Sequence, residues 1–171
     1  MRVAVVEDDP SSQRLLSEYI ARFASESGVD IQTEFFSNGM ELISDYRPVW
    51  VAIFMDVEMH VLDGMSAARQ IREADDDVFI VFITSFAQYA VDSYSVSALD
   101  YILKPVSYHA VSLKLKRIRS LLRQRTDRSI VIRNSDGAQR LALRDIYYIE
   151  VLNHTLTYHT AQGIRATTGS T

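Results

Sequence analysis

Four short apolar runs in this chain end on residues able to handle a phosphate. VAVV leads into Glu7-Asp8-Asp9, WVAIFM into Asp56, VFIVFI into Thr84-Ser85, and YIL into Lys104-Pro105. Mg²⁺ seeks near-octahedral oxygen ligands, and Glu7, Asp8 and Asp56 would supply carboxylates for such an ion, with phosphate completing its shell. Crowded carboxylates repel one another until a cation neutralises them. Asp56 is the best nucleophile of the three, since a carboxylate can accept a phosphoryl group as an acyl phosphate. Thr84 could hydrogen-bond one phosphoryl oxygen and Lys104 could pair with another. Phosphoryl transfer asks mainly for positioning and charge neutralisation, and these residue types offer both. Each has a bland reading: helix capping for Glu7-Asp8-Asp9, a loop carboxylate for Asp56, a turn residue for Thr84, a solvated charge for Lys104. Four in order, one per run, argue against coincidence.

For these residues to meet, the runs must be strands of one sheet, because ligands of open α/β sheets gather beyond the carboxyl ends of the strands. The pattern alternates as that requires. It predicts strands at Arg2–Val6, Asp30–Phe36, Trp50–Met55, Val78–Ile83 and Leu99–Leu103. Helices are expected from Pro10 to about Ala24, over Met40–Tyr46, from Gly64 to Glu73 and over Gln88–Val96. Right-handed crossovers then give a five-stranded parallel, doubly wound α/β sheet. Val106–Arg125 reads as one long helix with an apolar stripe at Val111, Leu115, Ile118 and Leu122. After Asp127-Arg128 come short strands and Gly-containing turns, the pattern of a small antiparallel unit.

Of the 171 residues, 47% are hydrophobic and 23% charged, an ordinary globular balance. The absence of cysteine excludes disulfides and thiolate metal sites and suits a reducing compartment. With no apolar stretch near membrane-spanning length, the expectation is a soluble, cytoplasmic protein. The net charge of −4 hides a split. Up to Leu103 there are 18 acidic and 6 basic residues, a balance of −12; from Lys104 on there are 4 and 12, a balance of +8. Such asymmetry points to a tail that meets nucleic acid behind a domain that does something else.

The runs VAVVEDDPSSQRLL, FMDVEMHVLDGM, VFITSFAQYA and ALDYILKP together resemble a CheY-like (flavodoxin-like) receiver domain of a two-component response regulator, over residues 1–123. The resemblance implies a phosphoacceptor, Asp56, that takes its phosphate from a sensor histidine kinase and is not a turnover enzyme. It implies Mg²⁺ held by Glu7, Asp8, Asp56 and the backbone carbonyl of Glu58. Thr84 and Lys104 would contact the phosphate, and the Lys104-Pro105 bond would be cis. Tyr101 falls at the family's switch aromatic, to act with Thr84; its bland reading is a buried core tyrosine. Ala87–Tyr101, with Tyr89 and Tyr94, would be the output face, and phosphorylation would favour a homodimer.

SALDYILKP and the tail from Ser129 are similar to response regulators with a LytTR-type DNA-binding domain. That implies a basic linker to about residue 128, then a partial all-β LytTR-type segment over 129–171 that serves transcription regulation through DNA. Asn153 and His154, at the turn after DIYYIE, are its candidate DNA contacts. One rival is a receiver-only signalling protein working through protein contacts. A phosphohydrolase is another, disfavoured because no second general-acid aspartate follows Asp56 at the required spacing. Receivers commonly have Met-Pro where this chain has Met59-His60, which frees φ there. Phe86, two residues beyond Thr84, brings no polar group to orient an attacking water, so slow self-dephosphorylation is expected.

Overall fold

A computed structural model of the chain describes residues 1–86, 88, 93–126, 129–134, 137–152, 155–161 and 163–168. It divides into two compact units, Met1–Ile118 and Arg119–Thr171.

The first unit is built on β1 (Arg2–Val6), β2 (Gln32–Phe36), β3 (Ala52–Asp56), β4 (Phe79–Thr84) and β5 (Asp100–Leu103), all parallel, in the order β2-β1-β3-β4-β5. Every residue of β3 and β4 is buried. That is why these strands read as unbroken apolar runs: a central parallel strand is covered on both faces. Successive side chains point to opposite faces. Ala4, Val6, Ile53, Met55, Ile80 and Phe82 join one core with Leu42, Ala67, Ala68 and Ile71. Val3, Val5, Phe54, Val81 and Ile83, on the alternate positions, are buried too.

The helices are α1 (Pro10–Ser27), α2 (Gly39–Ser44), α3 (Gly64–Ala74) and α4 (Tyr108–Thr126). Each of the first three has a side-chain cap. Asp9 accepts from the N–H groups of Ser11 and Ser12, Asn38 from Glu41, and Asp63 from Ser66, satisfying donors a helix start leaves orphaned. Pro10 occupies the first helical position, where its missing N–H costs nothing. Gly28 ends α1 at φ 62°, a left-handed cap. On α4 the expected stripe is Val111, Leu115 and Ile118, each fully buried; Leu122 is half-buried. Among the described residues of the expected Gln88–Val96 helix, only Ser93–Val96 is helical, as a 3₁₀ turn; residues 87 and 89–92 lie outside the described residues.

The second unit holds the antiparallel pair β6 (Ser129–Asn134) and β7 (Gly137–Ala142), and the antiparallel sheet of β8 (Ile146–Leu152), β9 (Thr155–Thr160) and β10 (Gly163–Thr168) in the order β10-β9-β8. Its core is small: Ile132, Leu141 and Tyr158, flanked by Ile130, Ile146 and Leu156. β8 is an edge strand with exposed Tyr147, Tyr148, Ile149, Val151 and Leu152. No helix among the described residues is long and apolar enough to cross a membrane.

Candidate functional site

Strand order reverses between β1 and β3, and the crevice outside that switch point is where such sheets hold ligands. Glu7 and Asp8 follow β1, and Asp56 is the last residue of β3. One carboxylate oxygen from each of the three lies within 4.8 Å of the others. Asp9 is not among them; the capping reading holds for that residue alone, and its hydrogen bonds with Ser11 and Ser12 depress its pKa. Thr84, fully buried, ends β4 beside β5, and its carbonyl accepts from the N–H of Lys104 at 2.8 Å. Thr84 Oγ1 accepts from the N–H of Phe86 at 3.1 Å. The Lys104-Pro105 bond is cis.

The Lys104 ammonium closes the site. Its Nζ donates to Asp56 Oδ2 at 2.6 Å and to Glu7 Oε1 at 3.3 Å. Asp56 Oδ1 accepts from the N–H of Glu58 at 3.1 Å. Glu7 is almost wholly buried, and its Oε2 accepts no hydrogen bond, although Lys104 Nζ stands 3.0 Å away as an ion-pair contact. Burial pushes the Glu7 carboxyl above its ordinary value, with the Asp56 charge adding and Lys104 opposing. Burial works to lower Lys104, but its hydrogen bonds to Asp56 and Glu7 outweigh that and raise it. One lysine thus faces two buried carboxylates, with the partly exposed Asp8 beside them, a surplus of negative charge. Three clustered carboxylates facing a single lysine, in an all-oxygen set, fit a hard divalent cation.

Sequence reasoning missed three features. His60 is a solvent-exposed loop histidine that nonetheless has a partner. Its ring Nδ1 lies 3.0 Å from Asp8 Oδ2, and that contact is the main cause holding Asp8 below the usual carboxylate range. The loop turns tightly: the N–H of Leu62 donates to the carbonyl of His60 at 2.9 Å across Val61, whose φ is 72°. This is a γ-turn of the rarer, strained hand. Gly64 is a packing requirement, because a Cβ there would stand 2.1 Å from the carbonyl oxygen of Asp56. Its only signal was a glycine opening α3, where an alanine would make a better helix. Third, Arg72 of α3 donates to the carbonyls of Val78 at 2.8 Å and Val96 at 2.9 Å, tying the start of β4 to the 3₁₀ turn. Tyr101 is 37% exposed, so it is not a buried core tyrosine. Tyr89, the side chain of Tyr94, and Asn153 and His154 lie outside the described residues.

Residues 3–116 match the family model described as the response regulator receiver domain. The transcriptional regulatory protein YpdB of Escherichia coli (strain K12) is 29% identical over 163 residues, covering 88% of this chain and 65% of YpdB. This chain therefore spans under two thirds of that relative's length. The sensory transduction protein LytT of Enterococcus faecalis is 24% identical over 180 residues, covering 99% of this chain and 73% of LytT. Among solved structures, the response regulatory domain of MrkE from Klebsiella pneumoniae superposes with a TM-score of 0.63 at 29% identity, covering 72% of this chain and 99% of that one. The response regulator TrrA from Thermotoga maritima, in complex with Mg²⁺ and a beryllium fluoride, gives 0.57 at 28% identity over 68% and 97%.

Proposed function

Because the chain belongs to the response regulator receiver domain family, we propose that it is a phosphorylation-controlled transcription regulator whose acceptor is Asp56. The observation that carries this reading is the bridge from Lys104 Nζ to Asp56 Oδ2 at 2.6 Å, at the one sheet edge where Glu7 and Asp8 also open. An Asp56 oxygen attacks phosphorus, the P–N bond of a phosphohistidine on a sensor kinase breaks, and the imidazole leaves with the electron pair. Lys104 follows the charge from the carboxylate onto the new phosphoryl oxygens, and the Thr84 hydroxyl donates to another. Glu7, Asp8, Asp56 and the backbone carbonyl of Glu58 would hold Mg²⁺, which neutralises phosphoryl charge when bound. The family performs signalling rather than metabolic chemistry, and we assign this chain no turnover of its own beyond loading and losing its phosphoryl group.

Thr84 and Tyr101 are the proposed switch pair: a Thr84 hydroxyl drawn to the phosphoryl group vacates space into which the half-exposed Tyr101 ring turns. Residues 1–123 are assigned to the receiver, 124–128 to the basic linker, and 129–171 to part of a LytTR-type DNA-binding domain with Asn153 and His154 as contacts. We place the protein in the cytoplasm, dimeric when phosphorylated. The +8 balance after Leu103 supports DNA as the partner, since phosphate neutralisation dominates such affinity.

The test is incubation with a small phosphodonor and Mg²⁺, read by intact mass and by oligomer size. Wild type should gain one phosphoryl group and shift toward dimer, and Asp56→Asn should do neither. No mass gain at Asp56 refutes the assignment. Binding to duplex DNA that weakens steeply with salt supports the output reading; no binding at low salt would leave a receiver acting through protein contacts.

A further inference from the structure

We propose that Arg72 is the fixed pivot of the switch, a positioning residue that pins the entrance to β5 so that a change at Thr84 is delivered to Tyr101. The proposal rests on reading Thr84 and Tyr101 as the switch pair.

One guanidinium holds three segments that lie apart in sequence. Its Nη1 donates to the carbonyl of Asp75 at 2.8 Å, where α3 ends. Nη2 donates to the carbonyl of Val78 at 2.8 Å, just before β4. Nε donates to the carbonyl of Val96 at 2.9 Å, at the end of the 3₁₀ turn, and Nη2 reaches that of Ser97 at 3.4 Å. Helix ends leave carbonyls without partners inside the helix, and those carbonyls carry partial negative charge. Two such ends, those of α3 and of the 3₁₀ turn, meet the same cation. Arginine suits this because its donors form a rigid planar fork, whereas a lysine ammonium is a point charge that cannot span three segments.

The base of the clamp is rigid. α3 buries Met65, Ala67, Ala68 and Ile71 in the core that also holds Ile53 and Ile80, and Val78 and Val96 are buried in that core as well. Beyond the clamp the chain bends at Ser97, whose φ is 48°, and the N–H of Leu99 then donates to the carbonyl of Ile80 at 2.8 Å. The other end of the β4–β5 connection is held differently. There the N–H of Phe86 donates to Thr84 Oγ1 at 3.1 Å, the hydroxyl that the proposed switch turns toward phosphate. A connection with one end tied to that hydroxyl and the other tied to Arg72 must take up the change between the two. Tyr101 lies four residues past the pivot, in register with Phe82 of β4. Without the clamp the entrance to β5 yields too, and the change is spread instead of reaching Tyr101.

The test compares wild type, Arg72→Lys and Arg72→Met, with Arg69→Met, at an exposed position of the same helix, as control. Each is loaded with a small phosphodonor and Mg²⁺ to equal phosphoryl content by intact mass. The readouts are the dimerisation constant and residue-level amide exchange. One charge-assisted hydrogen bond is worth about tenfold or more in an equilibrium constant. At equal loading, the gain in dimerisation should therefore be at least about tenfold smaller in both Arg72 variants, and unchanged in Arg69→Met. In wild type, loading should speed or slow exchange at Phe86 and Ser93–Ser95 while Leu99 stays within about twofold, a measurement that needs no variant. Arg72→Lys gaining dimer as wild type does overturns the inference, and so does wild-type Leu99 changing as much as Phe86. An equal fall in Arg69→Met overturns it too, since charge on the helix is then the cause. Arg72 variants that do not load at Asp56 also overturn it, because the residue then serves the fold or the acceptor. Wild type that loads with no change in dimerisation or exchange removes the switch reading and the inference with it.

Discussion

Gly64→Ala isolates the packing that holds Asp56, the proposed acceptor, in place. Gly64 is the first residue of α3, seven residues after β3 leaves the sheet at Asp56–Val57, and its N–H donates to the carbonyl of Val57 at 2.9 Å. A Cβ there would lie 2.1 Å from the Asp56 carbonyl oxygen and 3.0 Å from Val57 Cα, both backbone atoms that cannot rotate away. Side-chain carbons do not approach nearer than about 3.0 Å, so the helix start and the Asp56 backbone must separate by about 0.9 Å. Overpacking of that kind costs about 1–3 kcal/mol. The displaced residue is Asp56, the proposed acceptor, and a misplacement of ~1 Å can cost ~100-fold in rate. The assays are urea unfolding at constant m and the phosphorylation rate with a small phosphodonor by intact mass. Gly28→Ala is the control: its φ of 62° also disfavours a side chain, but nothing lies within 4 Å of the added carbon. It should lose about 1–2 kcal/mol with its phosphorylation rate unchanged. If Gly64→Ala loses less than about 0.5 kcal/mol and phosphorylates at the wild-type rate, the close approach is not a constraint and the reasoning fails.

For Glu7, the folded pKa lies above its ordinary 4.5, so the native state holds the proton more tightly than the unfolded chain. Without metal, stability should therefore fall as pH rises from about 4.5 through the folded value. Glu7→Gln removes the titrating group and should flatten that slope; parallel urea-midpoint curves for the two proteins would count against it. Lys104→Met leaves the Glu7 and Asp56 carboxylates without their cation. It should lose about 1–3 kcal/mol in chelator, less than a fully buried pair because the lysine is 26% exposed, and part should return on adding Mg²⁺; equal losses with and without Mg²⁺ would contradict this. Phe86 is 48% exposed and offers no polar group beside Thr84, so Phe86→Glu or Phe86→Lys should shorten the half-life of phosphorylated Asp56, and an unchanged half-life removes the idea.

Much of this protein is written in local pattern. The buried strands were legible because parallel strands covered on both faces leave uninterrupted apolar runs, as in β3 and β4. Helix starts were legible where capping chemistry is local: Asp9 before Pro10, and Asn38 before α2. Of the stretch read as a helix over Gln88–Val96, the described residues Ser93–Val96 form a 3₁₀ turn, and residues 89–92 lie outside the described residues. Part of what holds that turn is Arg72, a residue of α3 whose partners are distant in sequence.

The opening residues divide the same way. Sequence order was enough to nominate Glu7, Asp8, Asp56, Thr84 and Lys104, because each follows a strand-like run and parallel strands all exit at one edge. The proline after Asp9 also separated that residue, as a helix cap, from Asp8, which faces the cluster. Only the packed sheet decided that the lysine meets both Glu7 and Asp56, and that His60 reaches back to Asp8 across 52 residues. Those facts depend on strand order, burial and the turn at Val61. They are properties of the assembled sheet edge, and no local stretch of the chain contains them.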